Sequence, residues 1–185
     1  MSDLNDHVLE EASAEGETLL IADLVSLIER HHPLSEIGAP VDLLEEYVAA
    51  LAEGDSRFEP ETVREAVEER LVDSETWVAV DALYPVAEGR VSVYPRRWHE
   101  QLDGEEDLLR IIEVVVDDLP EGGRETWATG GPGPGIPKDK LVEMGELFGG
   151  LQLTEIRDQF RELKDAGEIN MSVNAKRHEH IVPTE

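Results

Sequence analysis

The chain has 185 residues, 40% hydrophobic and 32% charged, with 16 Lys+Arg against 43 Asp+Glu and a formal net charge of −27. A chain of this length forms one large domain or two small ones, and its charged residues are broken up by apolar ones, so global disorder is not implied. It has no cysteine, which excludes disulfides, thiolate metal sites and thiol nucleophiles. The first residues lack the basic and apolar regions of a secretory leader, and no run approaches the roughly 18 apolar residues of a membrane span. A cytoplasmic protein is expected.

In chain order, residues 1–16 are polar, acidic and without period, which predicts a flexible acidic N-terminal arm. From Thr18 the pattern turns helical: Leu20, Leu24, Leu27 and Ile28 share a face, and His31-His32-Pro33 ends it. A second helix follows Pro40, with Leu43, Leu44, Tyr47, Val48 and Leu51 at helical spacing. A third opens at Pro60, with Val63, Val67 and Leu71 directed inward. TWVAVDALYPV and VSVYP, joined by AEGR, alternate and are rich in β-branched residues, which predicts a hairpin.

The same order then recurs. Leu108, Leu109, Ile112, Val115 and Val116 predict a helix ending before Pro120, and a long glycine-rich loop follows. The next helix runs from Pro137 through Leu141, Met144 and Leu147. A turn, FGGLQ, leads into LTEIRDQFRELKDAGEI, where Leu153, Ile156, Phe160 and Leu163 form the expected buried stripe and Gly167 the cap. NMSVNAKRHEHIVP closes as two short strands around a basic tip. The expected class is mainly α with small β-hairpins (α+β). Residues 17–102 and 103–185 form the two expected modules.

Leu141, Gly145, Leu147 and Gly149 around the turn, then Ile156, Phe160, Leu163, Gly167 and Ile169, resemble the winged helix-turn-helix superfamily of archaeal and bacterial regulators. The resemblance spans residues 105–183. It departs from the pattern in a long loop before the second helix and an extra glycine in the turn. Residues 17–102 resemble the same superfamily by element order, so two tandem winged-helix modules are expected. The resemblance implies that the helix after the turn enters the DNA major groove and that the hairpin reaches the backbone. Carried over by position, that helix is Thr154 to Lys164, with Thr154, Arg157, Asp158, Arg161 and Lys164 outward. Arg157 and Arg161 stand one turn apart and suit bidentate contact with guanine or phosphate. Asn174, Lys176, Arg177 and His178 at the hairpin tip suit phosphate contact. Double-stranded DNA is thus the expected partner, and the function a transcriptional regulator. The N-terminal module, whose third helix exposes Glu61, Glu65, Glu68 and Glu69, is expected to bind a protein partner or to self-associate.

Charge bears on this in two ways. The dense carboxylates and the scarcity of lysine (Lys138, Lys140, Lys164 and Lys176 alone) resemble proteins of salt-in halophilic archaea. In molar salt the Debye length is about 3 Å and self-repulsion is screened. The charge is also uneven. From residue 138 onward seven basic residues accompany ten acidic ones, leaving −3, while the first 137 residues hold −24. The other reading of the same residues is a solvated helix surface. Arg161 has Asp158 and Asp165 within reach, and the chain would then be a tandem winged-helix adaptor of a chromosome-organising or transcription complex. Arg96-Arg97-Trp98-His99 reads either as a stacking site for nucleic acid or as a core tryptophan packing between the two modules. GGPGPG lacks the Gly-Lys-Ser/Thr ending of a phosphate loop and reads as a flexible loop. His31-His32 precedes a helix-breaking proline and His178-x-His180 alternates along a strand without nearby partners, so no metal site and no cofactor are expected. No residue set suggests an enzyme.

Overall fold

The computed structural model describes residues 3–53, 59–119, 135–173 and 179–184. Its contacts divide the chain into a first unit, residues 1–75 and 81–96, and a second, residues 76–80 and 97–185. The described residues form helices and two small antiparallel sheets of three strands each, an α+β chain dominated by helix. No described helix is long and apolar enough to cross a membrane.

The first unit begins with α1 (Asp6–Glu15), where a flexible arm was expected. Three causes make it a helix. The Asn5 side chain caps it, accepting from the His7 and Val8 N–H groups, which is worth about 1 kcal/mol. Val8 and Ala12, one turn apart, are buried against α2 and α3. The Asn5 N–H also donates to the Tyr47 hydroxyl at 2.8 Å, and its side-chain amide donates to the His31 carbonyl at 2.8 Å. Then come α2 (Ile21–His31), β1 (Ala39–Pro40), α3 (Val41–Ala52), α4 (Val63–Glu68), β2 (Tyr84–Ala87) and β3 (Arg90–Ser92). A 3-10 turn, Pro60–Thr62, leads into α4. The sheet order is β1-β3-β2, with Ala39 opposite Val91 and Tyr84 opposite Ser92. Arg90 ties the sheet to the preceding loop by donating to the carbonyls of Glu36, Ile37 and Gly38, each at 2.8 Å.

The second unit repeats this plan. After α5 (Arg96–Leu102) come α6 (Leu108–Asp118), β4 (Ile136–Pro137), α7 (Lys138–Gly149), α8 (Leu153–Asp165), β5 (Ile169–Val173) and β6 (Glu179–Pro183), with sheet order β4-β6-β5. Each unit therefore runs helix, short strand, two helices, hairpin, and each hairpin's last strand is central in its sheet. The short strands share a local sequence, Gly38-Ala39-Pro40 and Gly135-Ile136-Pro137. Both glycines have positive φ, +77° and +85°. A Cβ on Gly38 would lie 2.3 Å from a Val86 methyl, and one on Gly135 would lie 2.1 Å from the Ile181 carbonyl oxygen. Only glycine lets the chain enter the sheet this closely.

The structure corrects several other expectations. Thr76–Val80 form no strand and cluster with the second unit, so of TWVAVDALYPV only Tyr84, Pro85 and Val86 lie in β2, which runs on to Ala87. α4 stops at Glu68, and Leu71 lies beyond it, 40% exposed rather than inward. The division falls before Arg97, so α5 clusters with the second unit and not with the first. Trp98 in α5 is fully buried, its indole N–H donating to Asp118, while Arg97 pairs with the same carboxylate at 3.3 Å. A buried ring cannot stack on a nucleic-acid base, so the stacking reading of this cluster falls.

Candidate nucleic-acid interface

The second unit positions α8 from three sides. α7 ends at Gly150, in the left-handed region at φ +61°. Gly149 is fixed by space, because a Cβ there would meet the Glu105 carbonyl oxygen at 2.5 Å. Leu151 is buried in the turn, and Gly145 lets the Ile156 side chain approach α7. The extra glycine of the turn is thus accounted for by close packing. At its start α8 is capped by Glu155, whose carboxylate accepts from the Gln152 N–H at 2.7 Å. Gln159 holds the helix to the start of α6, accepting from the Leu108 N–H at 2.9 Å and donating to the Glu106 carbonyl at 2.8 Å. Gly167, at φ +74°, closes the helix: its N–H donates to the Lys164 carbonyl and that of Glu168 to the Leu163 carbonyl.

Ile156 and Phe160 are buried under α8, Leu163 is half-buried, and Leu153 departs from expectation at 40% exposed. Thr154, Arg157, Asp158, Arg161 and Lys164 are all exposed, as helical spacing requires. At 100° per residue Thr154, Arg157, Arg161 and Lys164 fall within an arc of about 80°. Glu155, Asp158, Glu162 and Asp165 fall in a neighbouring arc of about 80° on the side away from the core. The cations therefore form a stripe between the buried face and the acidic flank.

Ion pairing sharpens the stripe. Lys138 is bound to Glu179 at 2.7 Å, Lys140 to Glu143 at 2.8 Å and Arg110 to Glu113 at 3.6 Å. Arg161 reaches Asp158 at 3.3 Å, but both side chains are well exposed and such a pair is worth little. Among the described residues no ion pair is formed by Arg157 or Lys164. The hairpin-tip candidates Asn174, Lys176, Arg177 and His178 lie outside the described residues, as does most of the GGPGPG stretch.

The same face of the first unit is built differently. Val63 and Val67 are buried under α4 as Ile156 and Phe160 are under α8, so Glu61, Arg64, Glu68 and Leu71 stand where the stripe stands in the second unit. Arg64 is held by two carboxylates of α3, Asp42 and Glu45, the latter at 2.7 Å. The hydrogen bond to Asp42, then those of Glu45, raise its already high pKa further. Between α4 and the β2–β3 hairpin is a cleft of about 180 Å³ whose lining includes apolar Val41, Val67, Leu71, Pro85 and Val91 and charged Arg64, Glu68 and Arg90.

Three buried groups among the described residues have displaced proton affinities, and none lies on α8; burial raises that of Tyr47, against the hydrogen bond from the Asn5 N–H. Glu29 of α2 accepts from the Val93 N–H at 3.3 Å. Burial pushes its pKa up to about 8, against the opposing hydrogen bonds of Ser92 and Val93 and the charge of Arg90. His99 of α5 packs edge-on against Phe148, ring centroids 5.2 Å apart. Burial lowers its pKa to about 4, against the opposing charge of Asp103.

The structure also assembles a cluster that the sequence reading missed. His31 stands beside His7 and Glu11 of α1, their ligand atoms all within 4.8 Å of one another. A flexible arm gave His31 no partner, and the signal that could have found one is the His7–Glu11 spacing of one helical turn.

Comparison of the chain with family models, with curated proteins and with solved structures finds no match in any of the three.

Proposed function

We propose that the chain is a DNA-binding protein of tandem winged-helix build, acting in transcriptional regulation, in which α8 of the second unit reads duplex DNA. The order helix, strand, helix, helix, hairpin, with the hairpin's last strand central in the sheet, supports the winged-helix reading of both units. The observation that carries the DNA reading is the stripe on α8, where Arg157 and Lys164 are exposed and make no ion pair among the described residues. Arg157 and Arg161, one turn apart, suit the guanine edge or successive phosphates. The acidic composition fits a protein working in molar salt, where counterion release contributes almost nothing to binding. Contacts that do not depend on salt must then carry the affinity, and exposed Leu153 and the Thr154 methyl at the start of α8 suit thymine methyl groups.

The test is a footprint on genomic DNA fragments in molar potassium chloride, wild type against Arg157→Ala/Arg161→Ala. A sequence-specific footprint with the wild type, lost in the variant, is expected. If neither protein leaves a specific footprint, the DNA reading falls and a protein-only adaptor takes its place. One observation favours a protein-binding role for the first unit within either reading: the stripe is replaced there by acidic residues beside the cleft that Leu71 helps to line.

A further inference from the structure

α1 and α2 bring together two imidazoles and a carboxylate. His7 and Glu11 are one helical turn apart on α1, with His7 Nε2 and Glu11 Oε1 at 3.0 Å. His31, the last residue of α2, lies with its ring centroid 4.5 Å from that of His7, the two rings at 76°. The three ligand atoms lie within 4.8 Å of one another. The scaffold beneath is hydrogen-bonded throughout: Asn5 joins the His31 carbonyl to the Tyr47 hydroxyl, and His32 Nδ1 lies 2.8 Å from that same hydroxyl.

We propose that His7, Glu11 and His31 bind one zinc ion, or a cation of similar chemistry, with water as the fourth ligand. Four-coordinate zinc holds imidazole nitrogen and carboxylate oxygen at about 2.0–2.2 Å, which sets ligand atoms roughly 3.3 Å apart. The His7–Glu11 pair is already near that spacing. His7 and Glu11 are about half exposed, at 53% and 43%, so their side chains can adjust by the remaining ångström or so and an ion can enter. Two imidazoles select a borderline cation over hard ones. Potassium, magnesium and calcium prefer all-oxygen sites, so neither molar potassium nor the many surface carboxylates compete on equal terms.

The outer ligands, His7 and His31, lie 24 positions apart on two helices, so the unfolded chain does not present them together. Bound metal therefore adds its binding free energy to the docking of α1. Without it α1 rests on two small buried side chains, Val8 and Ala12, and on Asn5.

The test uses the full chain without a histidine tag, in molar potassium chloride at pH 7.5, titrated with zinc chloride by calorimetry. Imidazole nitrogen resonances and amide exchange are followed in parallel. One ion per chain is expected, with zinc shifting the His7 and His31 resonances and slowing exchange across α1. Magnesium should not displace it. His7→Ala and His31→Ala should each weaken zinc binding roughly 100-fold, and Glu11→Gln by at least about tenfold. Each variant should keep α1 docked in the absence of zinc, which amide exchange reads directly. Absence of stoichiometric binding overturns the proposal. So does undiminished binding in the variants, or zinc-induced shifts confined to the other four histidines.

Discussion

The two units have the same order of elements and the same sheet order, and in each a glycine-x-proline segment enters the sheet. Their third helices nevertheless present opposite chemistry. α8 is 13 residues long, capped at both ends, and carries three cations in a stripe beside the core. α4 has six residues, and its one exposed arginine is neutralised by Asp42 and Glu45 of α3. Counting from the two glycines, Asp42 has a counterpart in Asp139, while Glu45 has Val142 in its place. The two helices thus hold equivalent places in the same topology and differ in whether their exposed cations are paired within the chain.

The shared topology is the strongest point to attack, and the glycines give the largest effect. At Gly135 an added Cβ meets backbone of β6 at 2.1 Å, and backbone cannot swing aside. Gly135→Ala should destabilise the second unit by on the order of 4 kcal/mol. At Gly38 the nearest atom, at 2.3 Å, belongs to the Val86 side chain, which can change rotamer, and the Val91 oxygen lies at 3.0 Å. Gly38→Ala should therefore cost less, about 2 kcal/mol, mostly from its positive φ. Residue-resolved amide exchange reads the two units separately. Equal losses, or a larger loss at Gly38, would break the claim that close backbone approach distinguishes them.

Acidity should next drive the units in opposite directions. Glu29 has its pKa raised by burial, so the stability it leaves in the first unit is fully present below about pH 4.5 and is lost as pH rises through about 8. The loss between pH 5 and pH 8 should be on the order of 3 kcal/mol. His99 has its pKa lowered by burial, so stability in the second unit is present above about pH 6.5 and is lost as pH falls towards about 4. Between pH 7 and pH 5 that loss should be about 2 kcal/mol. Amide protection, corrected for intrinsic rates, should rise in the first unit and fall in the second on going from pH 7 to pH 5. Glu29→Gln should flatten the first profile alone. Profiles of the same sign in both units would remove the assigned causes.

Much of this was legible in the sequence, and the misses have physical reasons. α2, α3, α6, α7 and α8 bury a continuous apolar stripe, and a stripe at helical spacing shows itself. β1 and β4 have two residues each, too few for any period, and only the repeated glycine-x-proline betrays them. α1 buries two small side chains in an acidic helix, so its docking depends on the distant Tyr47 hydroxyl, which no local pattern encodes. The outward residues of α8 followed from its inward ones, Ile156 and Phe160. Leu153 did not, because a first-turn residue can point away from the core that the rest of its helix covers. The His7–Glu11–His31 cluster was hidden for the same reason as α1, since contacts across two helices appear only when both are placed.

The smallest structural effect carries the sharpest functional contrast. Arg64→Ala and Arg157→Ala both remove an exposed guanidinium from equivalent places, and neither should alter amide protection in its unit beyond error. On a DNA site located by footprinting, Arg157→Ala should weaken binding about tenfold in molar salt, the loss expected of one good base contact. Arg64→Ala should leave that affinity unchanged, because its charge is already spent on Asp42 and Glu45. A competition assay with the labelled site measures both. An equal loss from Arg64→Ala would mean that the first unit also faces DNA, and that pairing within the chain does not withdraw an arginine from recognition. Unchanged affinity in both variants, with the footprint intact, would move the contact off the stripe and towards Leu153 and Thr154, whose substitution would then carry the loss.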